Sequence, residues 1–218
     1  FSSLFIAEKI PASLEMALAE QGVDCDSTAL AQTEWTFQAG DNTRLYQKIM
    51  QAGRPLGEVV DGRMYRGVTT GFNEAFIIDR VLRDELVAAD SASAEILFPV
   101  VRGEDMRPWH FDDEDRWLIF ARRGIDIAQY PAVLAHLQHL RAKLEPRPES
   151  WPENAAWEGR KPGPYHWYEI QDTTAYYNVF LRPKIIWPDI AKLPRFSLDT
   201  TNAFVEATGF VLDSSDPA

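Results

Sequence analysis

Cysteine occurs once, at Cys25, so no internal disulfide can form and no multi-cysteine zinc site is available. That usage suits a reducing cytoplasm, the expected compartment. Long apolar runs are missing: stretches such as Val133-Leu-Ala or Phe204-Val are far too short to cross a bilayer, and no membrane partner is expected. No basic, apolar, small-residue segment opens the chain, so no signal peptide is read. There is no phosphate loop, no Gly-x-Gly-x-x-Gly and no Gly-x-Ser-x-Gly elbow, which removes the common nucleotide-binding and hydrolase signatures. Basic charge is also scarce, with 22 Lys and Arg against 33 Asp and Glu and a net charge of −11. Taken alone, that balance argues against a nucleic-acid binder, which usually carries a basic face.

What is present belongs to an ordinary folded chain. The 218 residues are 45% hydrophobic and 25% charged, enough for one sizeable domain or two small ones. The first residue is Phe1 rather than methionine, within sequence that reads as folded, so the chain is expected to be part of a longer protein. Charge is unevenly distributed. Residues 1–53 hold seven acids and three bases, whereas residues 160–195 hold six bases and three acids. An acidic chain can still present a basic groove, because the local field decides.

Local patterns set out the elements. Ser13 can cap a helix with Leu14, Ala17 and Leu18 on one face, stopped at Gly22. Trp35–Ala39 alternates like a strand and runs into a turn at Gly40-Asp-Asn, after which Leu45, Ile49 and Met50 suggest a short helix. Two strands are read at Met64–Val68 and Glu74–Asp79, joined tightly through Thr69-Thr-Gly-Phe-Asn. Val81, Leu82, Leu86 and Val87 mark a helix, and a second short helix is expected from Asp90 or Ser91 to Leu97, stopped by Pro99. Trp117–Phe120 reads as a buried strand. The clearest helix opens at Tyr130-Pro-Ala, with Val133, Leu137, Leu140 and Leu144 on one side. Residues 146–164 carry five prolines, two glycines and two tryptophans and read as a long loop or lid. Lys184–Trp187 is a strand, and Phe196–Leu198 with Ala203–Leu212 suggests a closing hairpin. The expected class is α+β, with mixed or antiparallel sheets, peripheral helices and no Rossmann-type unit. The expected division is a lead-in helix and strand at 1–53 and a main domain at 54–218.

Several chemical readings fail on spacing. His136 and His139 lie three apart on a helix, but no cysteine or clustered carboxylate accompanies them as further metal ligands. Asp112-Asp-Glu-Asp lacks the ligand alternation and central glycine of a calcium loop and reads as a solvated turn. Pro188-Asp189 would open a magnesium nuclease site only with a later acid-x-Lys, and Lys192 is the last lysine, so that pattern cannot form. No catalytic residue and no metal site are therefore expected. Between 151 and 187 stand Trp151, Trp157, Tyr165, Trp167, Tyr168, Tyr176, Tyr177 and Trp187, interleaved with Arg160, Lys161, Arg182 and Lys184. Such a set can stack on bases and hold sugar-phosphate, or it can simply fill a core and anchor loops.

The order of segments resembles a known family. Arg66-Gly-Val-Thr-Thr-Gly-Phe-Asn-Glu-Ala-Phe-Ile-Ile-Asp and Ser93-Ala-Glu-Ile-Leu-Phe-Pro-Val-Val-Arg-Gly-Glu-Asp are similar to segments of the TaqI-like carboxy-terminal specificity domain. So are Tyr130-Pro-Ala through Leu144 followed by Tyr165-His-Trp-Tyr-Glu-Ile, then Lys184-Ile-Ile-Trp-Pro-Asp-Ile-Ala and Arg195-Phe-Ser-Leu-Asp. The resemblance spans roughly 54–213. It implies the target-recognition part of an adenine-specific DNA methyltransferase, including single-chain restriction–modification enzymes and related phage-defence methylases. Double-stranded DNA is then the partner. In the family an upstream methyltransferase domain of the same chain binds S-adenosylmethionine and carries an Asn-Pro-Pro-Tyr-type motif. No Pro-Pro dipeptide and no glycine-rich cofactor motif occur here, so no cofactor is expected in this segment. The alternative is a scaffold or protein-interaction domain of the same enzyme that does not touch DNA.

Candidate DNA contacts come from the loop segments. Arg66, Thr69, Thr70 and Asn73 flank Gly71, which would let backbone approach a phosphate or base; equally, they can order a turn. Arg102 and Arg107 bracket the Gly103 turn and can reach DNA or pair with Glu104, Asp105 and the acids at 112–115. Lys161, Lys184 and Arg195 lie in the locally basic stretch and can hold phosphates. Because recognition domains vary most where they read sequence, matched motifs mark the scaffold more than the reading head, which turns attention to the unmatched loop at 145–163.

Overall fold

The structure, a computed structural model, describes residues 2–3, 13–24, 41–152 and 155–213. The Trp35–Ala39 strand and Cys25 lie outside the described residues. The chain divides into two compact units, Phe1–Asp61 and Gly62–Ala218.

In the first unit, β1 (Ser2–Ser3) pairs antiparallel with β2 (Val23–Asp24), and α1 (Leu14–Gln21) lies between them in the chain. Ser13 caps α1, its side chain accepting from Met16 N at 3.4 Å, and the helix stops at Gly22. The helix read from Leu45, Ile49 and Met50 is α2 (Asp41–Ala52). Asp41 and Asn42, which suggested a turn, form its first residues. A short α3 (Leu56–Val60) follows Pro55.

The second unit contains two four-stranded sheets. The first has the order β3–β10–β7–β8 and is antiparallel throughout, from β3 (Met64–Arg66), β7 (Lys184–Pro188), β8 (Ser197–Asp199) and β10 (Gly209–Asp213). The second has the order β4–β6–β5–β9, from β4 (Ile77–Asp79), β5 (Leu97–Val101), β6 (Arg116–Ile119) and β9 (Phe204–Val205). Only β5 and β9 pair in parallel within these sheets. Helices flank the strands, so the class is α+β, as the mixture of patterns implied.

Helix signals translate directly into elements. Asp79 caps α5 (Arg80–Ala89), accepting from Leu82 N at 2.9 Å. Pro131 begins α6 (Pro131–His139), where its missing N–H is harmless. Val133 and Leu137 are fully buried, and Leu144 is buried from α7 (Arg141–Leu144) after a break at Leu140. His136 Nε2 lies 3.1 Å from Ala75 O.

Strand partners depart from the expectations in three places. The segment 74–79 is not one strand: α4 (Asn73–Phe76) precedes β4, and β3 and β4 belong to different sheets, so no hairpin joins them. Thr70 initiates the helical turn by donating to Asn73 Oδ1 at 2.6 Å and accepting from Phe72 N at 3.2 Å. Pro99 does not end a helix. A 3₁₀ turn at Ser91–Ile96 ends earlier, and Pro99 lies within β5, where the strand changes partners. Leu97–Pro99 pair with β6 and Val100–Val101 with β9, so the missing N–H falls at the handover. Finally, residues 196–212 form no closing hairpin. β8 pairs with β7, while β9 and β10, three residues apart, enter different sheets.

Phe204 on β9 lies at the centre of the core. Its ring centroid is 4.8 Å from Phe98, 4.6 Å from Phe120 and 4.7 Å from Phe180, offset spacings that aromatic quadrupoles favour. Phe76, Met106, Leu118, Ile119, Ile170 and Ile186 close around this cluster. Among the described residues no helix is long and apolar enough to cross a membrane.

Candidate nucleic-acid interface

Four of the candidate contacts converge on the turn between β9 and β10. Glu206, which is buried, accepts from Asn73 Nδ2 at 2.8 Å and from Thr208 Oγ1 at 3.3 Å, and lies 3.5 Å from Arg102 Nε. Arg66 Nε donates to Ala207 O at 3.1 Å, and Gly103 N to Thr208 Oγ1 at 2.9 Å. Gly67 packs so closely on Glu206 O that any Cβ would collide with it. Thr70, 2% exposed, holds Asn73 in place from behind. Thr69 is half-buried, its carbonyl accepting from Asp172 N at 3.0 Å. Arg102 also approaches Glu104 at 3.6 Å. Of this group only Arg66 keeps most of its side chain (59%) in solvent, 3.6 Å from Asp189. Its backbone is held by the Tyr176 hydroxyl, which donates to Arg66 O at 2.8 Å while the Tyr176 ring stacks on Tyr65 at 4.7 Å. Burial first, and the charge of Asp172 second, push the Tyr176 pKa up to about 12.

Two of the basic residues in the aromatic-rich stretch are interior. Arg160 is 4% exposed and uses all five of its donors on backbone carbonyls: Leu144 at 2.8 Å, Thr70 at 3.0 Å, Glu169 at 2.8 Å, His166 at 3.2 Å and Trp167 at 3.0 Å. It lies 4.5 Å from the Tyr165 ring centroid, and burial lowers its pKa from the ordinary arginine value. Gly71, at φ +83, fits against this guanidinium; a Cβ there would come within 2.9 Å of Arg160 Cδ. The close approach that Gly71 permits is therefore internal. Lys184 is fully buried as well, its Nζ 2.6 Å from Asp199 Oδ2 and donating to Phe180 O at 2.8 Å and Thr201 O at 3.0 Å. Burial lowers its pKa, against the pull of Asp199. The structure places Lys184 in the core rather than on a phosphate-accessible surface.

The outward-facing chemistry lies elsewhere. A tight loop, Arg107-Pro-Trp-His, is closed by the Met106–Phe111 bridge and by Arg107 N donating to His110 O at 2.8 Å. Arg107 braces this loop, donating to Glu104 O at 2.5 Å and Met106 O at 3.1 Å and pairing with Asp112 at 2.7 Å. Trp109 at the tip is 87% exposed and held at φ +75. A left-handed conformation in so bulky a residue costs of order 1–3 kcal/mol and persists only where the surroundings enforce it. They do: Trp109 N donates to Phe196 O at 2.9 Å, and Ser197 Oγ lies 2.7 Å from His110 O and 3.0 Å from Arg107 O.

Those bonds join the loop to the connection between β7 and β8. This connection exposes Ile190 (91%), Leu193 (72%) and Phe196 (45%). Lys192 and Arg195 form a shallow cavity with Trp187, Asp189 and Phe196, and neither cation has an ion-pair partner among the described residues. Arg66, Asp189, Arg195, Phe196, Trp109 and Arg107 thus follow one another along a continuous surface. Lys161 is exposed on the 146–164 loop, beside Arg147 and Trp157, away from this chain of contacts. That loop has no helix or strand among its described residues; it is tied down by the Pro146–Arg160 bridge.

Trp109, Lys192, Phe196 and Glu206 were not singled out as functional from the sequence. The available signals were a tryptophan between Arg107 and His110 in an otherwise polar connection, and one acid inside the apolar run 203–212.

Comparison with known proteins adds distant structural likeness alone. No protein-family model matches the chain, and no curated protein matches it. Among solved structures the chain is similar to the type IIL restriction-modification enzyme MmeI in complex with DNA, at 15% identity and a TM-score of 0.44. The match covers 71% of this chain and spans 19% of the length of that one.

Proposed function

We propose that this chain is a double-stranded DNA recognition module of a larger adenine-N6 methyltransferase or fused restriction–modification enzyme. The ordered segments between 54 and 213 supply the class. The observation that carries the reading to a surface is the continuous face from Arg66 through Arg195 and Phe196 to Trp109, on which Lys192 and Arg195 have no ion-pair partner among the described residues. A net charge of −11 makes such a face informative, because elsewhere acids would repel phosphate.

In this reading the cations fix the duplex in register through its phosphates, and neighbouring polar groups meet base edges in the major groove. Thr70, Asn73 and Arg102 act behind the face by setting the turn at Glu206–Thr208. A methyltransferase domain in the same protein, with S-adenosylmethionine, would receive the flipped adenine; the residues of this chain perform no methyl transfer.

The test is selection of the chain from a randomised duplex pool at two salt concentrations. Enrichment of one short motif is expected, with affinity falling steeply with salt, by a log–log slope of about −3.6 if four cations each meet a phosphate. Unenriched pools and salt-independent retention would favour the second reading, a contact with a neighbouring protein domain. The exposure of Ile190 and Leu193 on the same loop is what supports that alternative.

A further inference from the structure

Resting on the DNA reading above, we infer that Trp109 is a wedge that stacks into a base step of the bound duplex and unstacks it. Three features of the loop meet the requirements of such a wedge. The first is reach: Trp109 is 87% exposed at the tip of a four-residue loop, so its indole faces solvent. The second is stiffness. A wedge must push two bases apart without folding back, and this loop is braced on both sides. Arg107 ties it to Glu104, Met106 and Asp112, while Phe196 O and Ser197 Oγ tie it to β8. Its backbone stays at φ +75, where an unbraced tryptophan would relax.

The third feature is what surrounds it. His110, 66% exposed at the side chain, follows Trp109 in the loop, and Arg195 precedes Phe196, whose carbonyl accepts from Trp109 N at 2.9 Å and whose ring packs on Trp187 at 5.7 Å between centroids. A cation such as Arg195, one residue from the carbonyl that anchors the loop, suits a phosphate backbone flanking an opened step. The acids of this face are engaged: Asp112 pairs with Arg107, and Asp189 with Arg66. A protein partner would need an apolar socket for the indole; a duplex offers the π-faces of any base step.

Trp109→Ala and Trp109→Phe separate the outcomes. The probe is the selected duplex carrying 2-aminopurine at successive positions, titrated with the 218-residue chain at low salt. With the unaltered chain, 2-aminopurine fluorescence should rise several-fold at one or two adjacent positions. Trp109→Ala should abolish that rise and weaken binding about tenfold, and Trp109→Phe should restore most of both. Thermal midpoints should not move, because the indole touches little of the protein. Salt-dependent binding with no fluorescence rise, or with a rise unchanged in Trp109→Ala, would overturn the wedge and leave the DNA reading standing. Absence of any salt-dependent duplex binding would overturn both.

Discussion

Two stretches of this chain have similar composition and opposite roles. Residues 157–170 and 187–198 both interleave aromatic and basic side chains between prolines. In the first, the arginine is drawn inside: Arg160 gives every donor to a backbone carbonyl and holds α7, the turn at Thr70 and the 166–169 segment together. In the second, Lys192 is exposed and Arg195 half-buried, neither with an ion-pair partner among the described residues, and the Phe196 carbonyl supports the exposed Trp109. The lesson is that aromatic–basic composition identifies neither a scaffold nor a binding face. The fate of each cation's donors decides.

Substitutions can break this contrast. The largest effect is expected from Arg160→Ala, which removes five hydrogen bonds together, three of them buried, and should destabilise the chain by about 5 kcal/mol. Arg160→Lys should rescue little, because an ammonium cannot form the planar fork. Chemical denaturation measures both, and a loss below about 1 kcal/mol would remove Arg160 as the organiser. Lys184→Ala should come next, at about 3–4 kcal/mol, by leaving Asp199 buried without its cation. Replacing the pair by Lys184→Met with Asp199→Leu should recover much of that loss.

On the solvent-facing side, Lys192→Ala and Arg195→Ala should change stability by less than about 0.5 kcal/mol. Each should reduce the salt slope of duplex binding by about 1. An unchanged slope would remove these cations from the interface. The narrowest effect, confined to high pH, concerns Tyr176. Its folded pKa of about 12 lies above the ordinary tyrosine value of 10, so the neutral form is favoured in the fold. That contribution is intact below pH 10 and is lost as pH rises from 10 towards 12, because the unfolded chain releases its proton first. Tyr176→Phe should flatten the stability profile in that window.

Helix positions were legible because their causes are local. Ser13 and Asp79 cap, Pro131 opens a first turn, and Val133, Leu137 and Leu144 repeat at helical spacing. Strand identity was also visible in Trp117–Phe120 and Lys184–Trp187, but strand partners were not. Nothing in Phe204-Val205 announces that it leaves its neighbour β10 to pair in parallel with β5, since pairing is settled by packing around Phe204. Pro99 misled for a related reason: a missing N–H stops a helix, yet is harmless where a strand changes partners. Arg160 and Lys184 misled because burial of a charge depends on distant carbonyls and on Asp199, which sequence adjacency does not reveal. The exposed face was half visible: Arg66, Arg107 and Arg195 were in view, while Trp109 and Lys192 needed the contact between the 107–110 loop and β8.

The division of β9 and β10 between two sheets also bears on how the chain folds. Met64 on β3 waits for Leu212, 148 positions later by subtraction, and β5 cannot acquire its parallel neighbour before Phe204 is made. Loops of that length close late and slowly. The second sheet is complete only once Val205 has left the ribosome, and the first only once Asp213 has, so one short C-terminal clasp times the appearance of the whole second unit. Pulse-labelled hydrogen exchange should therefore find β3 and β5 gaining protection together, in the same kinetic phase as β9 and β10.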